Sequence, residues 1–106
     1  MSDKHVELLP QAERDLKMAT VWYREQSGKA LALKSVDAAS AALRDVGAHP
    51  RTRASRYAHA LNIGGLRFWP VHGFPYLFFH IERDTHVEIW RALHTARDIP
   101  AWMMEP

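Results

Sequence analysis

The 106-residue chain contains no cysteine, so neither a disulfide nor a thiolate metal site can support its fold. No apolar run approaches the roughly 18 residues needed to cross a bilayer, and the opening Met1-Ser2-Asp3-Lys4-His5 meets charge too soon for a signal-peptide core. These absences point to the cytoplasm and to no membrane partner. Glycine-rich phosphate loops are missing as well, since Gly64-Gly65 is an isolated pair. Neither charge sign dominates, and the formal net charge is only +2.

Catalytic signatures are equally sparse. Ser2, Ser27, Ser35, Ser40 and Ser55 lie in the tail, helical stretches and loops, away from any Ser/His/Asp pattern. Glu7, Glu82, Asp84, Glu88 and Asp98 show no acid–base pairing. The seven histidines include His72, His80, His86 and His94 near strand ends, but no H-x-x-x-H or H-E-x-x-H spacing. The expectation is no metal and no cofactor.

What is present is an ordinary globular composition, 47% hydrophobic and 25% charged, expected to form one domain over residues 1–106. A chain of this size buries only about two-thirds of its unfolded surface. Its stability margin is therefore thin, and a partner would reinforce it.

His5 to Leu9 alternates as a first strand. Pro10 suits the first turn of a helix, where its missing N–H costs nothing. Ala12, Leu16, Ala19 and Tyr23 share one face of that helix, and Asp15 falls on the remaining circumference. Ser27-Gly28 ends it. A second helix runs from about Lys29 to Val46, with Leu33, Val36, Ala39, Leu43 and Val46 as its stripe and small Ala38, Ala41 and Ala42 beside it. Such alanines permit an antiparallel helix hairpin. Gly47 and Pro50 close it, and a long polar connection over 48–64 follows, with a helical turn at Ala58–Leu61.

From Leu66 the period shifts towards two. Leu66–His72, Tyr76–Glu82 and Val87–Leu93 read as strands joined by three-residue loops, Gly73-Phe74-Pro75 and Arg83-Asp84-Thr85. Pro70 cannot donate to a ladder, which makes its strand an edge or a bulged one. Those loops set Val71 opposite Leu77, and Phe79 opposite Trp69 and Ile89. One face then carries Trp69, Val71, Leu77, Phe79, Ile81, Val87 and Ile89 beneath the helices. The other carries Phe68, Tyr76, Phe78, His80, Glu88 and Trp90, an aromatic face left uncovered and therefore a partner site. The fold expected is α+β, an N-terminal strand and an antiparallel helix hairpin packed on a small antiparallel sheet.

Arg51, Arg53, Arg56 and Arg67 hold no acid between them. They form either a solvated flanking loop, the simpler reading, or a patch for phosphate or an acidic protein. Arg67, Arg91 and Arg97 lie on or just beyond strands, and arginine clamps phosphate or carboxylate bidentately. Arg97 is read first as a structural ion-pair former, whereas Arg67 and Arg91 fit either role. The apolar tail with Trp102, Met103 and Met104 either folds back and buries Trp102 or presents it to another protein.

Read in order, several pieces resemble one family. They are Val6-Glu7-Leu8-Leu9-Pro10 with Ala12-Glu13-Arg14-Asp15-Leu16, then Ala48-His49-Pro50, then Leu66-Arg67-Phe68-Trp69-Pro70-Val71 with Tyr76-Leu77-Phe78-Phe79. His94-Thr95-Ala96-Arg97-Asp98 closes the series. The set resembles the ParE branch of the RelE/ParE toxin superfamily across nearly the whole chain. The resemblance implies a type II toxin that inhibits DNA gyrase without catalytic residues and is neutralised by a cognate antitoxin. Operator DNA would be bound only through that antitoxin. Its target- or antitoxin-binding candidates are Arg67, Phe78, Trp90, Arg91, Arg97 and Trp102. The alternative it implies is a ribosome-dependent mRNA endonuclease using Arg67, Arg91 and His94. That branch usually carries a C-terminal tyrosine, and here the last tyrosine is Tyr76. A non-toxic binding module of the same fold is the third reading.

Overall fold

The structure, a computed structural model, describes residues 4–51 and 63–95. In chain order these form β1 (His5–Leu8), α1 (Pro10–Ser27), α2 (Lys29–Ala48), β2 (Arg67–Pro70), β3 (Tyr76–Glu82) and β4 (His86–His94). The expected turn at Ala58–Leu61 lies outside the described residues.

Pro10 converts strand into helix: Leu9 before it is extended, with φ −70° and ψ 158°, as a residue preceding proline must be. Leu9 still donates its N–H to the Ile89 carbonyl, while its own carbonyl accepts from Glu13. At the other end Gly28 separates the two helices alone. Its N–H closes α1 on the Arg24 carbonyl, and its carbonyl accepts from Ala32 to open α2. That double duty needs φ +88°, a conformation only glycine adopts freely.

The strand order is β1-β4-β3-β2. β1 runs parallel to β4 and the other pairings are antiparallel, so the sheet is mixed rather than wholly antiparallel. β2 with its Pro70 is an edge strand, as the proline requires. The α1–α2 hairpin covers one sheet face. Its core unites Ala12, Ala42 and Val46 with Val71, Phe78, Val87, Ile89 and Ala92. Ala12 and Ala42 are the small residues that let the helices settle on the sheet.

The register reverses the face assignment of β3: Tyr76 and Phe78 belong to the helix side, and Leu77, Phe79 and Ile81 to the other. The β2–β3 loop holds four residues, His72 to Pro75, because the Val71 N–H bonds to the Tyr76 carbonyl. Trp69 therefore opposes Phe78, and Phe68 opposes Phe79. The β3–β4 turn is tighter than expected, with the Arg83 N–H on the His86 carbonyl around Asp84-Thr85. A one-residue slip exchanges the faces of a strand. Phe78 thus lies fully buried under the helices, whereas Phe79 and Ile81 join Leu66 and Leu93 on the second face.

A β-bulge adds a further switch. His80 pairs with Ile89 and Phe79 with Arg91, leaving Trp90 as the extra residue. Before the bulge Val87 and Ile89 face the helices; after it Ala92 does, and Leu93 points away. The second face is not the bare aromatic surface expected from the sequence. Leu66, Phe79, Ile81 and Leu93 are buried there, with Ile63, Phe68, Leu77 and Trp90 packed against them.

The last turn of α2 sits directly on β1. Gly47 accepts the Lys4 N–H at 3.1 Å, and a Cβ at Gly47 would stand 2.8 Å from the Lys4 carbonyl oxygen and 3.0 Å from Val6 Cγ2. Either α2 or β1 must move to admit a methyl group. Gly47→Ala is expected to lower stability by about 1–3 kcal/mol, read as a fall in the urea unfolding midpoint at unchanged slope.

Candidate functional site

Arg91 was a candidate for phosphate or target contact, and its surroundings decide what it does. Its side chain is buried, with Nε donating to Asp15 Oδ2 at 2.7 Å and Nη2 to Asp15 Oδ1 at 2.9 Å. Asp15 Oδ2 also accepts the Ala92 N–H at 3.0 Å. This is a bidentate fork closed on a carboxylate, the geometry that arginine makes best. Asp15 is accordingly not one of the solvated positions of α1. It links α1 to β4.

The other two residues of the endonuclease reading sit elsewhere. Arg67 opposes His80 and His94 opposes Tyr76. Their levels on β3 are therefore four residues apart, about 13 Å at the usual strand rise. Arg67 Nη1 donates to the Arg51 carbonyl at 3.2 Å. The His94 ring stands edge-on to Tyr76, with centroids 5.2 Å apart. Trp90 lies on the second face as expected and donates its indole N–H to Glu88 Oε1 at 3.2 Å. Arg97 and Trp102 lie outside the described residues.

Acidic groups at the sheet ends are tied up by neighbours. Hydrogen bonds from Arg51 and Lys4 hold the Glu82 carboxyl below its ordinary range. Glu88 is held low in the same sense by His86, Trp90 and Arg83. Among the described residues, no three His, Cys, Asp or Glu side chains are grouped to hold a metal ion, and no helix is long and apolar enough to cross a membrane.

Two residues of the apolar stripe of α2, Leu33 and Val36, belong instead to an open apolar surface. Leu33 and Val36 are 55% and 43% exposed, and Met18, Val21 and Trp22 on α1 are more than half exposed. Between the helices runs a groove of about 580 Å³, walled by Leu16, Thr20, Val21 and Tyr23 of α1 and by Val36, Ala39 and Leu43 of α2. Val71, Phe74 and Tyr76 lie at its sheet side. Two hydroxyls on the walls are turned back on their own helices, Thr20 to the Leu16 carbonyl and Ser35 to the Ala32 carbonyl. The surface is thereby left greasy. Tyr23 packs edge-on against Trp22, Phe74 and Tyr76, and burial raises its phenol pKa. The signal in the sequence is Val21, with Met18 and Trp22 beside it, apolar residues of α1 outside its buried stripe.

Removing the carboxylate that holds Arg91 leaves a buried cation and a strand N–H without their acceptor. Asp15→Ala is expected to lower stability by about 3–5 kcal/mol, with Asp15→Asn losing less, as measured by urea denaturation of both variants.

No curated protein sequence matches the chain. A solved structure, "Chromosomal ParDE TA system from P. aeruginosa", contains a chain similar in fold, with TM-score 0.72 at 18% identity over 86% of this chain and 95% of that one. The sequence over residues 6–99 matches the family described as "ParE toxin of type II toxin-antitoxin system, parDE". A match over that span places the helix hairpin, the sheet and the apolar groove together within one family, and this chain belongs to the ParE toxins of type II toxin–antitoxin systems.

Proposed function

We propose that this ParE toxin acts in the cytoplasm on DNA gyrase as a protein inhibitor, and that its cognate antitoxin silences it by laying an apolar helical segment into the α1–α2 groove. The observation that carries the first half is the closed fork between Arg91 and Asp15. An endonuclease of this fold needs basic side chains turned on an RNA backbone. Here Arg91 is committed to a carboxylate, and Arg67 and His94 stand at different levels of the sheet. Inhibition by contact makes no such demand.

The groove supports the second half. Its walls are apolar, and its rim pair Glu13 and Lys17 satisfy one another at 3.3 Å. A polar or phosphorylated ligand would find little to bond there. An amphipathic helix would bury Val21, Val36 and their neighbours, extending a small core that is thin on its own. In this reading the antitoxin lies on the helices rather than on the second sheet face, whose central side chains are already buried. Operator DNA would be reached only through the antitoxin.

Two measurements test the reading. Purified protein should inhibit supercoiling by the host's gyrase, and added antitoxin should restore it. Unimpaired supercoiling by a folded sample, together with cleavage of ribosome-bound mRNA, would overturn the gyrase assignment. Val21→Glu and Val36→Glu alter exposed positions and should fold normally. Each should weaken antitoxin binding at least about tenfold, or 1.4 kcal/mol, by titration calorimetry, with gyrase inhibition retained. Undiminished antitoxin affinity in both variants would exclude the groove.

A further inference from the structure

The chain leaving α2 is fastened to the sheet by a buried histidine that neither half of the proposed function uses. His80 on β3 is fully buried, and its Nε2 lies 3.1 Å from the Pro50 carbonyl oxygen. Its Nδ1 is buried with no hydrogen-bond partner among the described residues. The neutral ring meets this setting with Nε2–H donating to Pro50 and Nδ1 carrying only a lone pair. A protonated ring would add an N–H donor with no acceptor.

The charged groups around His80 do not favour a further cation. Arg67 of β2 stands opposite it in register, and from there donates to the Arg51 carbonyl. Arg51, next to Pro50, reaches Glu82 at 2.6 Å. Glu82, two residues along β3, also takes Lys4, the residue before β1, at 3.0 Å. From β4 the opposing residue is Ile89, which brings no charge. Among the described residues Glu82 is the one acid of the cluster, and Lys4 and Arg51 already share it.

We propose that His80 is an acid-released latch. The neutral imidazole sits buried against Pro50 on β3; protonation leaves the Nε2–H in place but adds an Nδ1–H that finds no acceptor there, so the charged ring leaves the sheet and takes the bond to Pro50 with it, freeing residues 48–51. The latch is independent of which target the toxin binds.

Burial lowers the His80 pKa and the Arg67 charge adds to that, against the Pro50 hydrogen bond and the Glu82 charge, which raise it. An unfolded chain protonates this histidine near pH 6.5. Below that pH the unfolded or opened chain binds a proton that the closed latch refuses. Closure is therefore complete above about pH 6.5 and is lost as pH falls towards the native pKa.

The experiment follows the imidazole nitrogens of the full chain by NMR through a pH titration. Exchange of the amides in residues 44–51 is followed in parallel by mass spectrometry, corrected for the intrinsic effect of pH. The expected result is a His80 midpoint below about 6.5, with the proton on Nε2 in the neutral form. Protection of residues 48–51 should fall at least about tenfold as the ring protonates. A midpoint at or above the ordinary histidine value, or unchanged protection once His80 carries its second proton, would overturn the latch. His80→Gln retains an amide donor for Pro50 but cannot titrate, so its protection should be independent of pH. If that variant does not fold, the wild-type titration decides alone.

Discussion

Asp15 is where the helical layer and the sheet become one structure. β1 accompanies β4 only as far as the pairing of Leu8 with Ile89, because Pro10 turns the chain into a helix. The outer edge of β4 beyond Ile89 is then without a strand. α1 passes over that edge, and the Asp15 carboxylate takes the Ala92 N–H together with two nitrogens of Arg91. A buried pair of this kind contributes little net stability against its hydrophobic replacement, since desolvation offsets much of the attraction. Its effect here is placement. With α1 held on β4, and α2 joined to it through Gly28 alone, the whole hairpin has its position set.

The groove is a consequence of that placement. The hairpin rests on the sheet through Ala12, Ala42 and Val46, while further from that contact Leu33 and Val36 emerge into solvent. Small residues bring two layers together where they meet, and larger ones fill space only where something faces them. In the isolated chain Val21 and Val36 stay open to solvent, and Trp22 meets Tyr23 along one edge while about half of it stays exposed. A toxin kept silent by a second protein has a use for such a surface.

Several basic residues, by contrast, tie distant parts of the chain to one another. Arg91 holds α1, Arg67 and Arg51 hold the chain leaving α2, and Lys4 joins the same cluster through Glu82. In a small domain without disulfides, such ties between distant parts of the chain do some of the fastening that a larger core would do elsewhere. They also move the functional argument from chemistry at arginine side chains to contact between surfaces.

Much of this was legible in the residues themselves. The position of α1 follows from Pro10, its buried stripe and Gly28, and the three later strands from their aromatic and β-branched content. Local conformation is written locally, in the missing N–H of a proline and the positive φ open to glycine. The ordered motifs likewise pointed to the family. What the chain could not disclose by itself was which face each strand presents. Loop lengths of four and two residues, and one bulge at Trp90, decide the parity of every side chain beyond them, and a single residue moved Phe78 from an open face to the core. The partner of Asp15, 76 residues away at Arg91, was equally out of reach. Its spacing on α1 reads as solvent-facing, and only the arrival of an unpaired strand edge beside the helix makes it the most consequential carboxylate in the fold.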